Sequence, residues 1–431
     1  MKVQRLLAAV ILTAVLMSGC TSLSLSDPDI LSPPKAAGDR AEVQSIIEKD
    51  AKGAYALIYP AAGDYKNGII QNDLNGDGVN EAIALFTASD GTPRLLAAMK
   101  QDDSYRLYGS TELPSADVSR LSFADVNADG TKEPVIGFGD GTSFMQTEVF
   151  LFDEGVSGIT VGEGCIDYVI GDFDGNSSDD ILLMTPSGGT AAKARLLVYS
   201  EDGFGEKSSC ETDAEVTAFL SLRFDQISDG LYGAVADGIR GDGAYSTQLL
   251  YYDSAAHIMV NPLYMNSSYS ESVRASDVTC TDIDGDGIIE IPLCSLSEHT
   301  EDEDPDTVCS IVRWSDYDPE LMAPVFTQGA VLCDKLDCML RFSAEMLAII
   351  AARYTADNAV TLYDLSFKGD EPVLGRELLT VKRYAKNSYD SSLTAEAKLR
   401  DSASYTYTYI LSEGSTFTHD DINDSFYLLT L

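Results

Sequence analysis

Asp282-Ile283-Asp284-Gly285-Asp286-Gly287-Ile288-Ile289-Glu290, leading directly into Ile291-Pro292-Leu293, is the stretch that decides how this chain is read. Side-chain oxygens stand at its first, third, fifth and ninth positions, with glycine at the sixth and an apolar run behind it. The same rule is met three more times. Asp73-Leu74-Asn75-Gly76-Asp77-Gly78-Val79-Asn80-Glu81 and Asp125-Val126-Asn127-Ala128-Asp129-Gly130-Thr131-Lys132-Glu133 are close copies. Asp172-Phe173-Asp174-Gly175-Asn176-Ser177-Ser178-Asp179-Asp180 is a looser one. An acidic composition alone does not generate such a rule four times, so the spacing of the copies carries architecture.

The first three copies start 52 and 47 residues apart, and the last follows at 110, two such steps. A further copy should lie between, and Phe224-Asp225-Gln226-Ile227-Ser228-Asp229-Gly230-Leu231-Tyr232-Gly233 stands there. It keeps Asp225, Asp229 and Gly230 but has Ile227 and Gly233 where two ligands belong, so this repeat survives as structure without its metal. A period near 50 residues with four short strands per unit is the pattern of a propeller blade. In the second unit Pro134–Phe138, Glu148–Phe152, Gly158–Val161 and Tyr168–Gly171 read as strands separated by turn residues. Leu95–Met99, Arg195–Tyr199, Gln248–Tyr252 and Ser310–Trp314 occupy the equivalent strand of other units. The expected fold class is therefore mainly β: a β-propeller of about five four-stranded blades, with room for six or seven, and a small C-terminal α+β domain.

Oxygens at positions 1, 3 and 5 of such a loop converge because the backbone curls tightly, glycine at 6 permits the turn, and a main-chain carbonyl at 7 joins them. The candidate ligands are Asp73, Asn75, Asp77, Val79 and Glu81; Asp125, Asn127, Asp129, Thr131 and Glu133; Asp172, Asp174, Asn176, Ser178 and Asp180; and Asp282, Asp284, Asp286, Ile288 and Glu290. Val79, Thr131, Ser178 and Ile288 would contribute their carbonyls. Ser177 holds the glycine position of its loop, which leaves that geometry less certain. An all-oxygen shell suits a hard cation such as Ca²⁺ over zinc or copper, and about four such ions are expected. The EF-hand is excluded, because its twelfth position needs a bidentate glutamate and here carries Ala84, Ile136, Leu183 and Leu293. The arrangement instead resembles the FG-GAP/VCBS repeats of integrin-like β-propellers, over roughly residues 66–335. That resemblance implies structural cations pinning the hairpin between adjacent strands, in a module that binds ligands.

At the N-terminus, Lys2 and Arg5 precede an apolar run from Leu6 to Met17 that ends in Ser18-Gly19-Cys20. A basic end, a short apolar core and small residues make a secretory signal. The cysteine after the small pair resembles the lipobox of bacterial lipoproteins, with Met17 where leucine is usual. The resemblance implies acylation of Cys20 and anchoring to the bacterial cell membrane, facing outside the cytoplasm. The expected organisation is a leader over 1–19, a Ser/Pro-rich tether over 20–38, an N-terminal helix over 39–60 with an Asp39/Glu42 capping box, the propeller over 61–338, and the α+β domain over 339–431. In that last part Leu347–Arg353 and Val360–Leu365 read as a hairpin, Leu378–Tyr384 and Tyr405–Leu411 as strands, and Ser392–Leu399 as a helix.

The formal net charge of −40 repels phosphate backbones, so no nucleic-acid partner is expected. Seven cysteines remain after Cys20, an odd number. Cys294 and Cys309 lie on consecutive expected strands and could face each other, Cys333 and Cys338 could close a small loop, and the sequence leaves the pairing open. Arg240-Gly241-Asp242 spells an integrin-binding tripeptide but reads better as a turn. Alternating Tyr405, Tyr407 and Tyr409 share a strand face and read as core. The acidic run from Glu298 to Asp306 reads as a solvated loop. His257, His299 and His419 are scattered, and the common nucleophile, metalloprotease and nucleotide motifs are missing, so no catalytic residue is assigned. The functional expectation is a lipid-anchored, calcium-stabilised propeller presenting a face to a surface protein or glycan. The alternatives are a surface polysaccharide hydrolase or lyase, and a scaffold subunit of an envelope complex.

Overall fold

A computed structural model describes residues 38–140, 144–186, 192–265, 272–389 and 396–429. The leader, Cys20 and all of the tether but its last residue lie outside the described residues. The rest is mainly β, in six antiparallel sheets of four or five strands. Sheet 1 holds Ile69–Asn72, Glu81–Thr87, Pro93–Gln101 and Ser104–Glu112, with Ala56–Leu57 added beside the second of these. Sheet 2 is Val118–Ala124, Glu133–Phe138, Met145–Leu151 and Ser157–Cys165. Sheet 3 is Asp167–Gly171, Asp180–Thr185, Lys193–Ser200 and Gly203–Glu211. Sheet 4 is Val216–Ser228, Leu231–Arg240, Tyr245–Asp253 and Ile258–Val260. Sheet 5 is Ile291–Leu296, Ser310–Asp318, Ala323–Cys333 and Cys338–Phe342, joined at its edge by Phe426–Leu428 from the C-terminus. Sheet 6 runs Ile350–Ala356, Ala359–Lys368, Glu371–Ala385, Tyr405–Leu411 and Ala397–Asp401 in spatial order.

Sequence period and packing agree strand by strand. Glu81–Thr87, Glu133–Phe138 and Asp180–Thr185 are buried along nearly their whole length, as strands covered on both faces must be. The outer strands, such as Ser104–Glu112, are mostly exposed. Because side chains alternate between faces, one strand feeds two cores. Ile181 and Leu183 pack towards sheet 2 with Val149 and Tyr168, whereas Leu182 packs towards sheet 4 with Ala234 and Leu250. Leu85, Leu95, Leu121 and Phe150 likewise join sheets 1 and 2. Val235, Leu249, Ile291 and Tyr317 join sheets 4 and 5, and Val331, Leu340, Leu362 and Val381 join sheets 5 and 6. The sheets thus lie face to face in chain order. The other face of sheet 1 is covered by the N-terminal helix, whose Val43, Ile47 and Ala51 meet Phe86 and Leu96. Among the described residues, no buried cluster joins sheet 6 to sheet 1.

Several local expectations change. The helix spans Asp39–Asp50 and not 39–60, because Lys52 and Gly53 take positive φ and break it. Its N-cap is Gly38, and the Asp39/Glu42 box is not formed. Instead Asp39 pairs with Lys100 at 2.8 Å and Glu42 accepts the Tyr105 N–H at 2.9 Å, so both acids serve tertiary contacts. Tyr168–Gly171 opens sheet 3 and does not close sheet 2. Ala397–Asp401 is a strand where a helix was expected; Ala397 and Leu399 turn alternately into the core shared with sheet 5, a period of two that overrides helical propensity. The start of that stretch lies outside the described residues. The hairpin on Thr355–Asn358 is present, pairing Tyr354 with Val360.

Gly171 shows how closely sheets 3 and 4 approach: a Cβ there would sit 2.3 Å from the Phe224 ring. Gly171→Ala should therefore destabilise the fold by about 1–3 kcal/mol, the usual range for overpacking. Urea unfolding measures it, and an unchanged midpoint would show that Phe224 can retreat without loss.

Candidate metal centres

Three of the loops link the first and second strands of their sheets, whereas the one at Asp282 is closed by a single bridge between Thr281 and Glu290 and leads into Ile291–Leu296, the first strand of sheet 5; all four share one hydrogen-bonding scheme. The ninth-position carboxylate reaches back to the N–H of the second position. Glu81 accepts from Leu74 at 2.8 Å, Glu133 from Val126 at 3.3 Å, Asp180 from Phe173 at 3.1 Å and Glu290 from Ile283 at 2.8 Å. The first-position aspartate accepts the N–H of position 6, with Gly78, Gly130, Ser177 and Gly287 donating to Asp73, Asp125, Asp172 and Asp282 at 2.9–3.0 Å. The fifth-position side chain accepts from position 7, where Val79, Thr131, Ser178 and Ile288 donate at 2.7–2.8 Å.

This curl needs left-handed backbone at two positions, not one. Gly76, Ala128, Gly175 and Gly285 take positive φ at the fourth position, and Gly78, Gly130, Ser177 and Gly287 at the sixth. Ser177, the doubtful residue of its loop, adopts φ 72° and conforms.

The loops differ in what their carboxylates face. Asp282, Asp284, Asp286 and Glu290 each bring one oxygen within 4.8 Å of the others, as do Asp172, Asp174 and Asp180, and both groups could hold a metal ion. Glu290 and Asp180 are fully buried, and their second oxygens, Oε1 and Oδ1, have no hydrogen-bond partner. A buried acceptor left in that state costs about 1–3 kcal/mol unless something positive meets it. In the loop at Asp125 that role is already filled, because Asn127 Nδ2 donates to Asp129 at 3.0 Å and towards Glu133 Oε1 at 3.4 Å. Among the described residues the acids of the loops at Asp73 and Asp125 do not form such a group.

Burial dominates the acidity of the ninth position. It pushes Glu133 up to about 8, and Asp180 and Glu290 to about 7, with neighbouring loop aspartates adding to the rise. Glu81 is raised for the same reason. A cation among these oxygens would reverse the penalty by supplying the missing counter-charge.

In the repeat at Asp225 a hairpin stands where the other units have a loop. Asp225 stands opposite Gly233 in a plain hairpin that turns at Ser228–Leu231, and its carboxylate pairs with Arg223 at 3.2 Å. Two residues escaped the sequence reading because they lie outside the motif. Lys207, on the last strand of sheet 3, forms an ion pair with Asp174. Asp316, on the second strand of sheet 5, has a buried, unpartnered Oδ1. Only strand register could have pointed to either.

Elsewhere, Arg240 of the Arg-Gly-Asp turn is largely buried against Asp213 at 2.7 Å, which removes it as a recognition element. Tyr407 and Tyr409 are core residues. Glu303 in the acidic loop is held by Arg353 at 2.6 Å, so that loop is docked on sheet 6 and not simply solvated. Cys333 and Cys338 stand opposite each other across a hairpin but as free thiols, and Cys294 and Cys309, also free, belong to different buried clusters. The cavity of about 860 Å³ at the starts of sheets 2 to 4 is lined by Arg120, Asp167, Phe144, Phe219 and Leu220, with Arg120 bonded to Asp167 at 2.8 Å.

No protein-family model matches the sequence, and no curated protein does. Among solved structures the chain is similar to BBS1N, determined in complex with ARL6DN, at 10% identity over 84% of this chain and 98% of that one, TM-score 0.29. It is also similar to the rhamnogalacturonan lyase PL11 of Bacillus licheniformis, at 10% identity, 83% and 91% coverage and TM-score 0.31. A third is the periplasmic gluconolactonase PpgL of Pseudomonas aeruginosa, at 7% identity, 74% and 86% coverage and TM-score 0.29.

Ser177→Gly isolates the backbone cost of the loop at Asp172. Relief of a left-handed non-glycine residue is worth about 1–2 kcal/mol, and the added chain entropy of glycine returns about 0.4–1. The variant should be more stable than the parent by about 0.5–1 kcal/mol in denaturant unfolding; a loss of stability would mean that Ser177 earns its place through its side chain.

Proposed function

We propose that this chain is an extracytoplasmic, lipid-anchored protein of propeller-like architecture, in which calcium ions staple the loops and the rigid stack of sheets presents a binding face to a surface protein or glycan. The observation that carries the metal reading is the pair of orphaned buried oxygens, Glu290 Oε1 and Asp180 Oδ1, each set among converging aspartates. Oxygen-only donors, a hard-cation charge count and the tight curl favour Ca²⁺ over softer metals. Asp282, Asp284, Asp286 and Glu290 would hold one ion, and Asp172, Asp174 and Asp180 a second. The loops at Asp73 and Asp125 would be weaker sites. When bound, the ion supplies charge compensation and rigidity to the turn between two strands. A lipid on Cys20 would place the folded part beyond the tether, where millimolar calcium fills even weak sites.

The cavity at the starts of sheets 2 to 4 supports the binding role. It combines apolar Phe144, Phe219 and Leu220 with the charged Arg120–Asp167 pair, a lining suited to orienting a small ligand or a projecting side chain. A soluble form lacking Cys20, used in pull-down and glycan-array binding with and without Ca²⁺, tests this reading. Retention of a surface protein or glycan that depends on Arg120 supports it; cleavage of a retained polysaccharide would move the assignment to a hydrolase or lyase.

Calcium should raise the melting temperature and EDTA lower it. Glu290→Gln separates the metal from the fold, because the amide oxygen still accepts from Ile283 while the buried charge is gone. In EDTA the variant should melt at or above the parent, and in calcium below it. Identical melting of the two proteins in both conditions would remove Glu290 from any metal site.

A further inference from the structure

The four loops are alike in sequence, but the strand that follows each of them is not. In sheet 5, Ile291 pairs with Ser315, so one residue back Glu290 stands opposite Asp316. Opposed residues of an antiparallel pair share a face, with Cβ atoms about 4.5–5.5 Å apart. The same register places Met99 opposite Glu81, Leu151 opposite Glu133 and Val198 opposite Asp180. In the unit whose loop is lost, Tyr251 stands opposite Gly233. Only the unit at Asp282 sets an acid against the ninth-position acid.

One oxygen of that acid is left without a partner. Asp316 Oδ1 and Glu290 Oε1 are both buried and without partners. The Asp316 carboxyl is raised above its ordinary range by burial, with the Thr327 hydroxyl working against the rise and Asp286 and Asp284 adding to it. Two orphaned oxygens thus stand on facing strands, Glu290 within the group of converging carboxylates and Asp316 beside it.

We propose that Asp316 is a fifth carboxylate of the Asp282–Glu290 site and makes it the tightest cation site of the chain, filled before the others. This rests on the reading of the loops as calcium sites. Affinity in all-oxygen sites rises with the number of charged ligands, so the extra carboxylate sets this site apart from its three relatives. The opposite applies to the loop at Asp172, where the Lys207 ammonium already meets Asp174 and competes with an incoming ion.

The chain carries its own reporter for this site. Trp314 is the only tryptophan, and it lies in the same buried cluster as Ile283, the second residue of the loop. Terbium, a luminescent stand-in for Ca²⁺, would be sensitised by Trp314 at this site in preference to the others. Terbium titration read through tryptophan excitation should saturate within the first equivalent bound, with total binding followed by equilibrium dialysis and calcium as competitor. Asp316→Asn should shift the midpoint of the tryptophan-sensitised signal about tenfold upward, the scale expected for one charged ligand. Asp77→Asn, in the first loop, should leave that midpoint in place.

A midpoint unmoved in Asp316→Asn, or a signal that develops only in the last equivalents of the parent, overturns the proposal while the calcium reading stands. If the asparagine variant does not fold, the order of filling in the parent still decides. Dialysis showing no bound ion at all would overturn both readings.

Discussion

The constraint on which the structure depends is a carboxylate buried at the root of a hairpin. Glu81, Glu133 and Asp180 are each the first residue of a strand covered on both faces, and Glu290 stands just before Ile291–Leu296; in all four units the acid's oxygen receives the N–H of the second loop residue. That bond fixes the entry and exit of the loop and hence the pairing of the first two strands. Register then follows for the remaining strands, because a one-residue slip would turn every apolar side chain to the wrong core. With cores on both faces of the sheets, such as Ile181 to one side and Leu182 to the other, an error in one unit would spread to its neighbours.

Burying that acid is expensive, and the units differ in how they offset the cost. The loop at Asp125 uses the amide of Asn127, and the loop at Asp172 brings Lys207 to Asp174. The loop at Asp282 has neither, and adds Asp316 to the problem. Its demand for an external cation is therefore the greatest, although by motif alone the loops at Asp73 and Asp125 look nearly as complete. Burial raises the ninth-position acid in all four units, Glu133 to about 8 and Asp180 and Glu290 to about 7.

Much of this was legible in the sequence, for a physical reason. A loop that must curl through left-handed backbone and present oxygens inward leaves few residue choices, so Asp, Asn and Gly recur at fixed places. Uninterrupted apolar runs such as Ala82–Phe86 follow it because the next strand is covered on both faces. The strand that pairs next, from Pro93–Gln101 in sheet 1 to Ser310–Asp318 in sheet 5, was found from its apolar residues as well. What could not be read were contacts set by tertiary register. Asp316 and Lys207 are ordinary strand residues until pairing places them beside a loop. The helix end at Lys52 was missed because apolar residues recur at helical intervals as far as Ile58, and the strand at Ala397–Asp401 because the segment is short and tertiary packing decided the outcome. The second left-handed position of the loops was hidden by Ala128, since alanine gives no sign of unusual backbone.

Sheet 4 shows what happens when the loop is removed. Its first hairpin closes directly, and no acid remains at the ninth position. Yet this unit contains its own buried carboxylate, Asp237, fully enclosed and paired at 2.9 Å with an equally enclosed Arg274. Asp237 also accepts from Thr247 at 2.7 Å and from the Cys280 N–H at 3.0 Å, so its lone pairs are used. Arg274 spends its donors on Thr247, on the Ser272 and Val278 carbonyls and on Asp237. The network ties the segment that leads into the loop at Asp282 to the middle of sheet 4. Removing one partner of such a pair costs about 3–5 kcal/mol, because a lone charge would be stranded. Where the other units anchor a strand with a buried acid and a loop, this one anchors the next unit with a buried acid and an arginine. The common element is the enclosed carboxylate, and the cation that answers it is the part that varies.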